Sequence, residues 1–213
     1  MILGFSGTDY SGKSTQIGMV QSRFGFVVIW SRFGYTPSIL YLKSFFRKVI
    51  STTNMDQKKN LGDQSSKVNN SVFDFWFWTA VTDYFIFGLY LHWLKKTHKN
   101  LVFDRYILDV LVDIAVRYGG VNWRCTFVKK LYDIFFPKPD SYLFLDIDCH
   151  TAGQRREGKN DPYPVSDTEL DNLRKIYFLF LSDMFKDDVK IIDAAGSADD
   201  LHEKITRMMV NEA

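Results

Sequence analysis

The stretch SGTDYSGKST (residues 6–15) follows the apolar run MILGF at the start of the chain. Gly7 and Gly12 enclose four residues, and Lys13 and Ser14 come directly after them, which satisfies the pattern G-x-x-x-x-G-K-[ST] completely. The apolar run is typical of a buried strand, and the residues after the loop have helical spacing. The sequence therefore predicts a phosphate-binding loop between a strand and a helix, rather than a fortuitous glycine turn.

The chemistry of this loop suits the phosphates of ATP. Glycines let backbone N–H groups point inward and let phosphate oxygens approach closely. The helix that follows adds the positive end of its dipole. Lys13 is expected to reach the β- and γ-phosphates, and the Ser14 hydroxyl is expected to ligate Mg²⁺. Gly7, Gly12 and Thr15 complete the predicted ATP site.

The rest of the chain alternates short apolar runs with amphipathic stretches. Five strands are predicted at 1–6, 26–30, 101–103, 142–145 and 189–192, and helices are predicted at 15–23, 105–118, 167–185 and 198–210. This alternation predicts a three-layer α/β fold of the P-loop NTPase type, with a five-stranded parallel sheet and helices on both faces. The length of 213 residues suits one domain spanning 1–213. The polar stretch 51–70 is predicted to be a mobile connection.

Charge and cysteine content limit the class of partner and the compartment. The formal net charge is +2, which argues against nucleic-acid binding through bulk electrostatics. Cys125 and Cys149 are the two cysteines, far apart and without metal-ligand spacing, so we expect a reducing, cytoplasmic setting. The first residues lack the basic region of a signal peptide, and none is expected.

The segment VFDFWFWTAVTDYFIFGLYLHWL (residues 72–94) is about long enough to cross a bilayer. Asp83 lies near its middle, where a carboxylate costs about 2.5–3.5 kcal/mol on insertion scales. The sequence therefore favours a buried helix of a soluble protein, which also suits a homodimer contact, over a membrane span. The aromatic cluster at 75–78 is interpreted as core packing.

Two further groups of polar residues lie near predicted strand ends. Asp104 ends the run LVFD, where it can serve as a second magnesium ligand or as a helix N-cap. Arg105 follows it and can reach a phosphate. The window QRREGK, at 154–159, is either part of a lid around 153–166 that supplies cationic charge, or a solvated basic loop.

Taken in order, these stretches resemble the thymidylate kinase family of P-loop nucleoside-monophosphate kinases. FSGTDYSGKST is similar to the family's F-x-G-x-D-x-x-G-K-S-T, and VFDRY is similar to its D-R-[YS]. PDSYLFLDID, at 139–148, resembles the family strand that precedes the lid arginine. VKIIDAAGS resembles the strand and loop beside the adenine of ATP, which implies that Ala195 and Gly196 contact the base.

The resemblance also implies roles for the charged residues. Asp9 should face the acceptor, near its sugar hydroxyl and the magnesium ion, and Arg105 should hold the acceptor's phosphate. Family members place a catalytic cation either directly after this aspartate or in the lid. Because Tyr10 occupies the loop position here, the lid is expected to supply it through Arg155 and Arg156.

The acceptor half of the site departs from the family pattern. WSRFGYTP, at 30–37, resembles the family's R-E-P-G-G-T segment, but its arginine, Arg32, is shifted by one position. Tyr84 and its neighbours stand where the family has an arginine that grips the acceptor phosphate. We expect Arg32, Tyr84, Arg105 and Tyr106 to bind the acceptor, with Arg32 as a candidate substitute for the missing arginine.

Together these features predict an ATP- and Mg²⁺-dependent phosphotransferase that acts on a small molecule, with dTMP as the acceptor that the family implies. Two alternatives stay open. One keeps the ATP site and phosphorylates a sugar or a sugar phosphate. The other is a nucleotide-binding interaction protein that has lost turnover.

Overall fold

The structure is a computed structural model that describes residues 1–30, 32–33, 70–98, 100–157, 165–186 and 188–210. These residues form one parallel sheet and seven helices. The strands are β1 (Ile2–Gly7), β2 (Val27–Trp30), β3 (Leu101–Asp104), β4 (Ser141–Asp146) and β5 (Lys190–Asp193). The helices are α1 (Lys13–Phe24), α2 (Asn70–Thr97), α3 (Ile107–Arg117), α4 (Trp123–Phe135), α5 (Cys149–Glu157), α6 (Asp167–Met184) and α7 (Ala198–Val210).

The strand order is β2-β3-β1-β4-β5, so β1 occupies the centre of the sheet. Every residue of β1 is buried, as its continuous apolar sequence requires in a sheet covered on both faces. The register pairs Phe5 with Asp104 and Gly7 with Leu145, and it pairs Trp30 with Asp104 on the other side of β3. The carboxyl ends of all five strands therefore meet along one edge, where the glycine loop begins.

Two hydrophobic clusters pack against the sheet. The first includes Phe103 and Phe144 from the sheet and buried residues of α2, α3, α4 and α6. The second includes Phe5 and Leu143 from the sheet and buried residues of α1 and α7. The predicted architecture, a five-stranded parallel sheet with helices on both faces, is thus confirmed.

The structure differs from the sequence-based predictions at α4 and at the start of the expected lid. The helix α4 was not predicted from the sequence. Its N-cap is Asn122, whose side chain accepts a hydrogen bond from the Arg124 N–H at 3.0 Å. The first part of the expected lid, 153–157, is the end of α5 rather than a loop. Residues 158–164 of that lid lie outside the described residues, as does the predicted connection at 51–70 apart from Asn70, which begins α2.

The aromatic segment forms α2, but the prediction of a buried helix is wrong for one side of it. The prediction of core packing at 75–78 is likewise wrong for Phe75 and Trp78, which are exposed. Phe77 and Leu91 are buried, but a row of large apolar side chains on α2 is exposed. Their spacing places most of them along one side of the helix. We call this row the exposed face of α2, and it consists of Phe75, Trp78, Ile86, Leu89, Tyr90 and Trp93. Within the described ranges, no helix has the length and apolar character needed to span a membrane.

Candidate active site

The glycine loop joins β1 to α1 in a conformation that requires glycine at two positions. Gly7 has φ +149°, and a Cβ there would lie 2.6 Å from the Leu145 carbonyl oxygen. Gly12 has φ +89° and is the N-cap of α1. Ser14 and Thr15 are exposed in the first turn of that helix. The loop therefore presents a helix N-terminus and two hydroxyl groups at the edge of the sheet, which is an arrangement suited to an anion.

Lys13 is folded back onto the loop that precedes it. Its Nζ donates to the carbonyl oxygens of Gly7 and Thr8, at 2.8 and 2.6 Å, and to the Ser11 hydroxyl at 3.3 Å. The side chain is only 6% exposed, and burial, together with the nearby Arg105, lowers the pKa of Lys13 to about 8. The ammonium group is thus held by neutral oxygens close to the position expected for ATP phosphates.

Asp9 and Arg105 form an ion pair across the site. The Arg105 Nη2 lies 2.6 Å from the Asp9 Oδ1, and the Arg105 backbone N–H donates to the Phe5 carbonyl at 3.0 Å. Arg105 has φ +67° and Tyr10 has φ +66°, which is uncommon for residues other than glycine. Strained backbone of this kind clusters at functional sites. The structure thus brings together the two residues that the sequence predicted for the acceptor side.

A buried polar network lies beneath this pair and centres on Asp109, which is 2% exposed. Its carboxylate accepts hydrogen bonds from the Ser6 hydroxyl, from the Tyr177 hydroxyl at 2.8 Å and from the Tyr106 N–H at 3.1 Å. The Arg105 Nη1 lies 3.7 Å away. Sequence reasoning gave Asp109 no role, although a carboxylate inside the apolar run ILDVLV was a visible signal.

Asp104 ends β3 beside this network and is partly buried. Burial raises the pKa of Asp104, and the positive charges of Lys13 and Arg105 oppose that rise. Asp104 and the exposed Ser14 are oxygen donors of the kind that Mg²⁺ prefers. The described residues contain no cluster of three or more His, Cys, Asp or Glu side chains suited to a metal ion. This donor set fits an ion held by one or two protein oxygens together with nucleotide phosphates.

Arg32 lies two residues after β2 and pairs with Asp113 of α3. Its Nε and Nη2 donate to the two carboxylate oxygens at 2.9 and 3.1 Å. The hydrogen bond to Asp113 raises the pKa of Arg32, and Arg105 and Asp9 are near enough to act on the same guanidinium. Arg32 therefore lies near Arg105 and Asp9, with a carboxylate partner that the sequence did not reveal, and its role in acceptor binding stays a prediction.

Tyr84 and Tyr106 lie in the hydrophobic core. The Tyr84 ring stacks on Phe136 with centroids 4.4 Å apart, and its hydroxyl has no hydrogen-bond partner within the described part of the chain. Tyr106 stacks on Phe103 at 4.3 Å and donates its hydroxyl to the Pro137 carbonyl at 2.9 Å. Burial raises the pKa of both hydroxyl groups well above the ordinary value. Their predicted contact with the acceptor stays a prediction.

The two arginines predicted for the lid point to different partners. The Arg155 Nη2 donates to three successive carbonyl oxygens of the loop after β5, those of Ala194 (2.8 Å), Ala195 (3.3 Å) and Gly196 (3.0 Å). Its Nη1 donates to the Tyr10 carbonyl at 3.4 Å. Arg155 therefore connects the glycine loop with the loop predicted to contact adenine.

Arg156 faces the start of α6 instead. Its Nη1 donates to the Val165 carbonyl and lies 3.0 Å from the Asp167 Oδ1. Of the two lid arginines, Arg155 is thus the one that lies against the glycine loop.

A glycine loop after the central strand of a parallel sheet, with a lysine buried in it, defines a P-loop kinase fold. The chain belongs to the thymidylate kinase family, whose model matches residues 45–205. It is accordingly a nucleoside-monophosphate-kinase-like enzyme. A comparison with curated protein sequences gives no match.

Solved structures similar to this chain share its fold. The M. mycoides deoxyadenosine kinase with the products dCMP and dCDP has a TM-score of 0.62 at 16% identity, with 99% of this chain and 100% of that chain covered. The same enzyme with bound dATP gives 0.61 at 18%, covering 98% of each chain. The thymidylate kinase from Candida albicans gives 0.62 at 18%, with 99% of this chain and 91% of that chain covered.

Proposed function

We propose that the chain transfers the γ-phosphoryl group of ATP, bound together with Mg²⁺, to a small acceptor of the nucleoside or nucleotide class. The observation that carries this proposal is the buried Lys13, held by carbonyl oxygens inside a glycine loop at the N-terminus of α1. Among the described residues no carboxylate lies at hydrogen-bond distance from this buried cation, so it is suited to an anionic ligand.

In the donor half of the site, each residue has a specific role in binding ATP and the metal ion. The loop N–H groups between Gly7 and Gly12 and the first turn of α1 bind the phosphates, and Lys13 turns toward the β- and γ-phosphates. Ser14 and Asp104 hold the magnesium ion, which neutralises charge on those phosphates. Thr15 adds a hydroxyl at the same helix end.

Arg155 is the candidate for charge stabilisation during transfer. Its partners within the described ranges are neutral carbonyl oxygens, which place the guanidinium beside the glycine loop. A cation aimed at the transferring group stabilises the negative charge of the transition state. Ala195 and Gly196 border the adenine, and Arg156 ties α5 to α6 through Asp167. Arg156 therefore has a supporting role in this proposal.

The acceptor half contains Asp9, Arg105 and Arg32, with Tyr84 and Tyr106 behind them in the core. The family implies dTMP as the acceptor, and the similar structures include an enzyme named as a deoxyadenosine kinase. A sugar or sugar phosphate is the second candidate, because the arginine expected in α2 is replaced by the segment around Tyr84. Transfer to any of these depends on positioning and charge neutralisation.

ADP release tests this proposal. The purified protein is mixed with Mg²⁺ and ATP and with a panel of nucleosides, nucleotides and sugars, beside a reaction without acceptor. We expect acceptor-dependent ADP release that stops when EDTA removes the metal. Binding of ATP without ADP release for every acceptor contradicts the proposal and favours a nucleotide-binding protein without turnover.

We also propose that a second copy of this chain covers the exposed face of α2. Leu89 and Trp93 are 52% and 57% exposed there, and contiguous exposed apolar surface marks interaction sites. A symmetric dimer pairs this face with itself, so a single row of apolar residues suffices for both copies.

A further inference from the structure

We infer that Asp109 is a positioning residue for the acceptor: its buried carboxylate holds the Arg105 guanidinium at the place where the acceptor's phosphate binds, without touching the acceptor itself. This inference rests on the proposed kinase activity, in which Arg105 lies in the acceptor half of the site. It gives a role to a buried charge that the proposed function leaves unused, because neither ATP nor the metal ion is assigned to Asp109.

Asp109 faces Arg105 from the buried side of the site. The Arg105 Nη1 lies 3.7 Å from the Asp109 Oδ1, and the Asp109 side chain is 2% exposed. Asp9, which contacts Nη2 of the same guanidinium at 2.6 Å, is 43% exposed. The Arg105 guanidinium therefore lies between a carboxylate that is fixed in the core and a carboxylate that is open to solvent.

Asp109 also holds the backbone of Arg105. The Tyr106 N–H, which belongs to the peptide bond after Arg105, donates to the Asp109 Oδ2 at 3.1 Å. The Arg105 N–H donates to the Phe5 carbonyl at 3.0 Å, so the peptide bond before Arg105 is held as well. Arg105 has φ +67°, a left-handed conformation that persists in residues other than glycine only where the surroundings enforce it. Asp109 thus acts on both the backbone and the side chain of Arg105.

Hydrogen bonds fix the orientation of the Asp109 carboxylate. The Tyr177 hydroxyl donates to Oδ1 at 2.8 Å, and the Ser6 hydroxyl donates to Oδ2. Since Ser6 has one proton to donate, it accepts from the Tyr142 hydroxyl at 2.8 Å, and Tyr142 accepts from the Leu108 N–H at 3.0 Å. Burial raises the pKa of Tyr177 and Tyr142 well above the ordinary value, so both phenols keep their protons for these bonds.

The charge of Asp109 is matched to that of Arg105. Burial by itself lowers the pKa of Arg105, but the Asp109 charge, followed by Tyr177 and Asp9, raises it above the ordinary value. A buried carboxylate is costly unless a cation and hydrogen bonds compensate it. A residue that only completes a capping box at the start of α3 needs no charge, because a neutral glutamine serves at that position. The charge therefore indicates a role beyond capping the helix.

A phosphorylated acceptor benefits from an arginine that is already in place. One oxygen of the acceptor phosphate forms the bond to the γ-phosphorus while the bond to ADP breaks, so the position of that phosphate sets the geometry of transfer. An arginine side chain has many rotamers, and ordering it when a ligand binds costs affinity. Asp109 removes this cost, because it orders Arg105 before the acceptor arrives.

Asp109→Asn and Tyr177→Phe separate the charge of Asp109 from its hydrogen-bond network. Asp109→Asn keeps the size of the side chain and removes the charge that faces Arg105. Tyr177→Phe disturbs the same buried carboxylate but leaves its charge in place. The kinetics use Mg²⁺, ATP and dTMP, or the most active phosphorylated acceptor of the panel, at pH 7, where Lys13 with its pKa of about 8 stays largely protonated. Thermal unfolding checks that each variant is folded at the assay temperature.

The expected loss concerns the acceptor and not ATP. We expect Asp109→Asn to lower kcat/KM for the acceptor by about 10-fold to 100-fold, mainly through a higher KM, because a misplacement of about 1 Å costs up to about 100-fold. The Kd for ATP should change little. Tyr177→Phe should lose far less kcat/KM, because its carboxylate still faces Arg105.

The double variant Asp109→Asn with Arg105→Lys tests whether Asp109 acts through Arg105. Lysine lacks the planar fork of arginine, so Arg105→Lys by itself weakens the binding of the acceptor. Asp109→Asn should then add little to the loss of kcat/KM, because the effects of two residues that act as a unit are not additive. A merely structural role of Asp109 predicts instead that the two losses multiply.

Each outcome has a definite meaning. Losses that multiply, equal losses in Asp109→Asn and Tyr177→Phe, or a wild-type KM for the acceptor in Asp109→Asn overturn the inference and leave the proposed kinase activity standing. Transfer only to acceptors without a phosphate has the same meaning. A wild-type protein that binds ATP but releases no ADP with any acceptor defeats the proposed function itself.

Discussion

The Arg105 Nη2 lies 2.6 Å from the Asp9 Oδ1, so an ion pair joins the glycine loop to the residue that follows β3. The central strand makes this possible, because β1 pairs Phe5 directly with Asp104 at the end of β3. The loop after β1 and the turn after β3 therefore leave the sheet side by side. In the proposed function, this pair forms the boundary between the phosphate donor site and the acceptor site.

Asp9→Asn tests the placement of Asp9 in the acceptor half of the site. The amide keeps the size of the side chain but removes the negative charge that pairs with Arg105. Because charge-assisted hydrogen bonds are about twice as strong as neutral ones, we expect kcat/KM for the acceptor to fall by at least about tenfold while the affinity for ATP changes little. Steady-state kinetics and ATP titration measure the two quantities. Wild-type kcat/KM for the acceptor in Asp9→Asn would contradict this placement.

The affinity for ATP should depend on pH through Lys13. The pKa of Lys13 is lowered to about 8 in the free protein, so the ammonium loses its proton as the pH rises through that value. Bound phosphates favour the charged form, and binding above pH 8 then requires proton uptake. We expect the Kd for ATP to rise with pH above 8, by at most about tenfold per unit.

Isothermal titration calorimetry between pH 7 and pH 9.5 measures this dependence and the proton uptake. Lys13→Met is the control, because it binds ATP weakly at every pH and has no proton to lose at this position. A wild-type Kd that is constant across this range contradicts the assignment of Lys13 as the titrating group.

Asp109 should contribute strongly to stability. Its carboxylate accepts hydrogen bonds from the Ser6 and Tyr177 hydroxyl groups and from the Tyr106 N–H, all in a buried setting. Asp109→Ala removes the carboxylate that accepts from these donors, and breaking a buried ionic network costs about 3–5 kcal/mol. Urea denaturation should show a loss of that size in the free energy of unfolding.

Asp133→Ala is the matched control, since its ion pair with Lys129 lies at the surface of α4. Exposed pairs contribute about 0–1 kcal/mol, so this variant should unfold close to the wild type. Equal losses in the two alanine variants would refute the structural role given to Asp109.

The exposed face of α2 predicts self-association. Trp93→Lys places a charge on the exposed face of α2, and burying an unpaired charge in a dimer contact is costly. We expect the wild-type chain to elute with twice the mass of one chain in size-exclusion chromatography with light scattering, and Trp93→Lys to elute as a monomer. Val210→Lys, at an apolar residue of α7 that is 68% exposed, is the control and should stay dimeric. A monomeric wild type contradicts the proposed dimer.

The sheet and the glycine loop could be predicted because their signals are local. A parallel strand that is covered on both faces has a continuous apolar sequence, and β1 and β4 both have such sequences. The loop is specified by eight consecutive residues whose backbone and side chains together form a phosphate-binding motif. Even α4 carried a signal, the spacing of Cys125, Val128 and Tyr132, which are its buried residues.

The pairing of charges could not be predicted in the same way. Arg32 and Asp113 are 81 residues apart, and Ser6 and Asp109 are 103 residues apart, so only the folded sheet brings them together. Burial is equally non-local, since nothing in the sequence of α2 says which of its aromatic side chains another helix covers. The glycine loop of the proposed donor site was therefore largely visible in the sequence, whereas the ion pairs near the proposed acceptor site required the structure.

Phosphoryl transfer by Lys13→Ala is the most direct test of the central claim that the glycine loop drives an ATP-dependent kinase reaction. Transfer of the labelled γ-phosphoryl group from ATP to the best acceptor is compared between this variant and the wild type, with circular dichroism and thermal unfolding as checks of the fold. The account predicts a folded variant whose transfer rate falls by at least about 100-fold. A folded Lys13→Ala protein with undiminished transfer would contradict it.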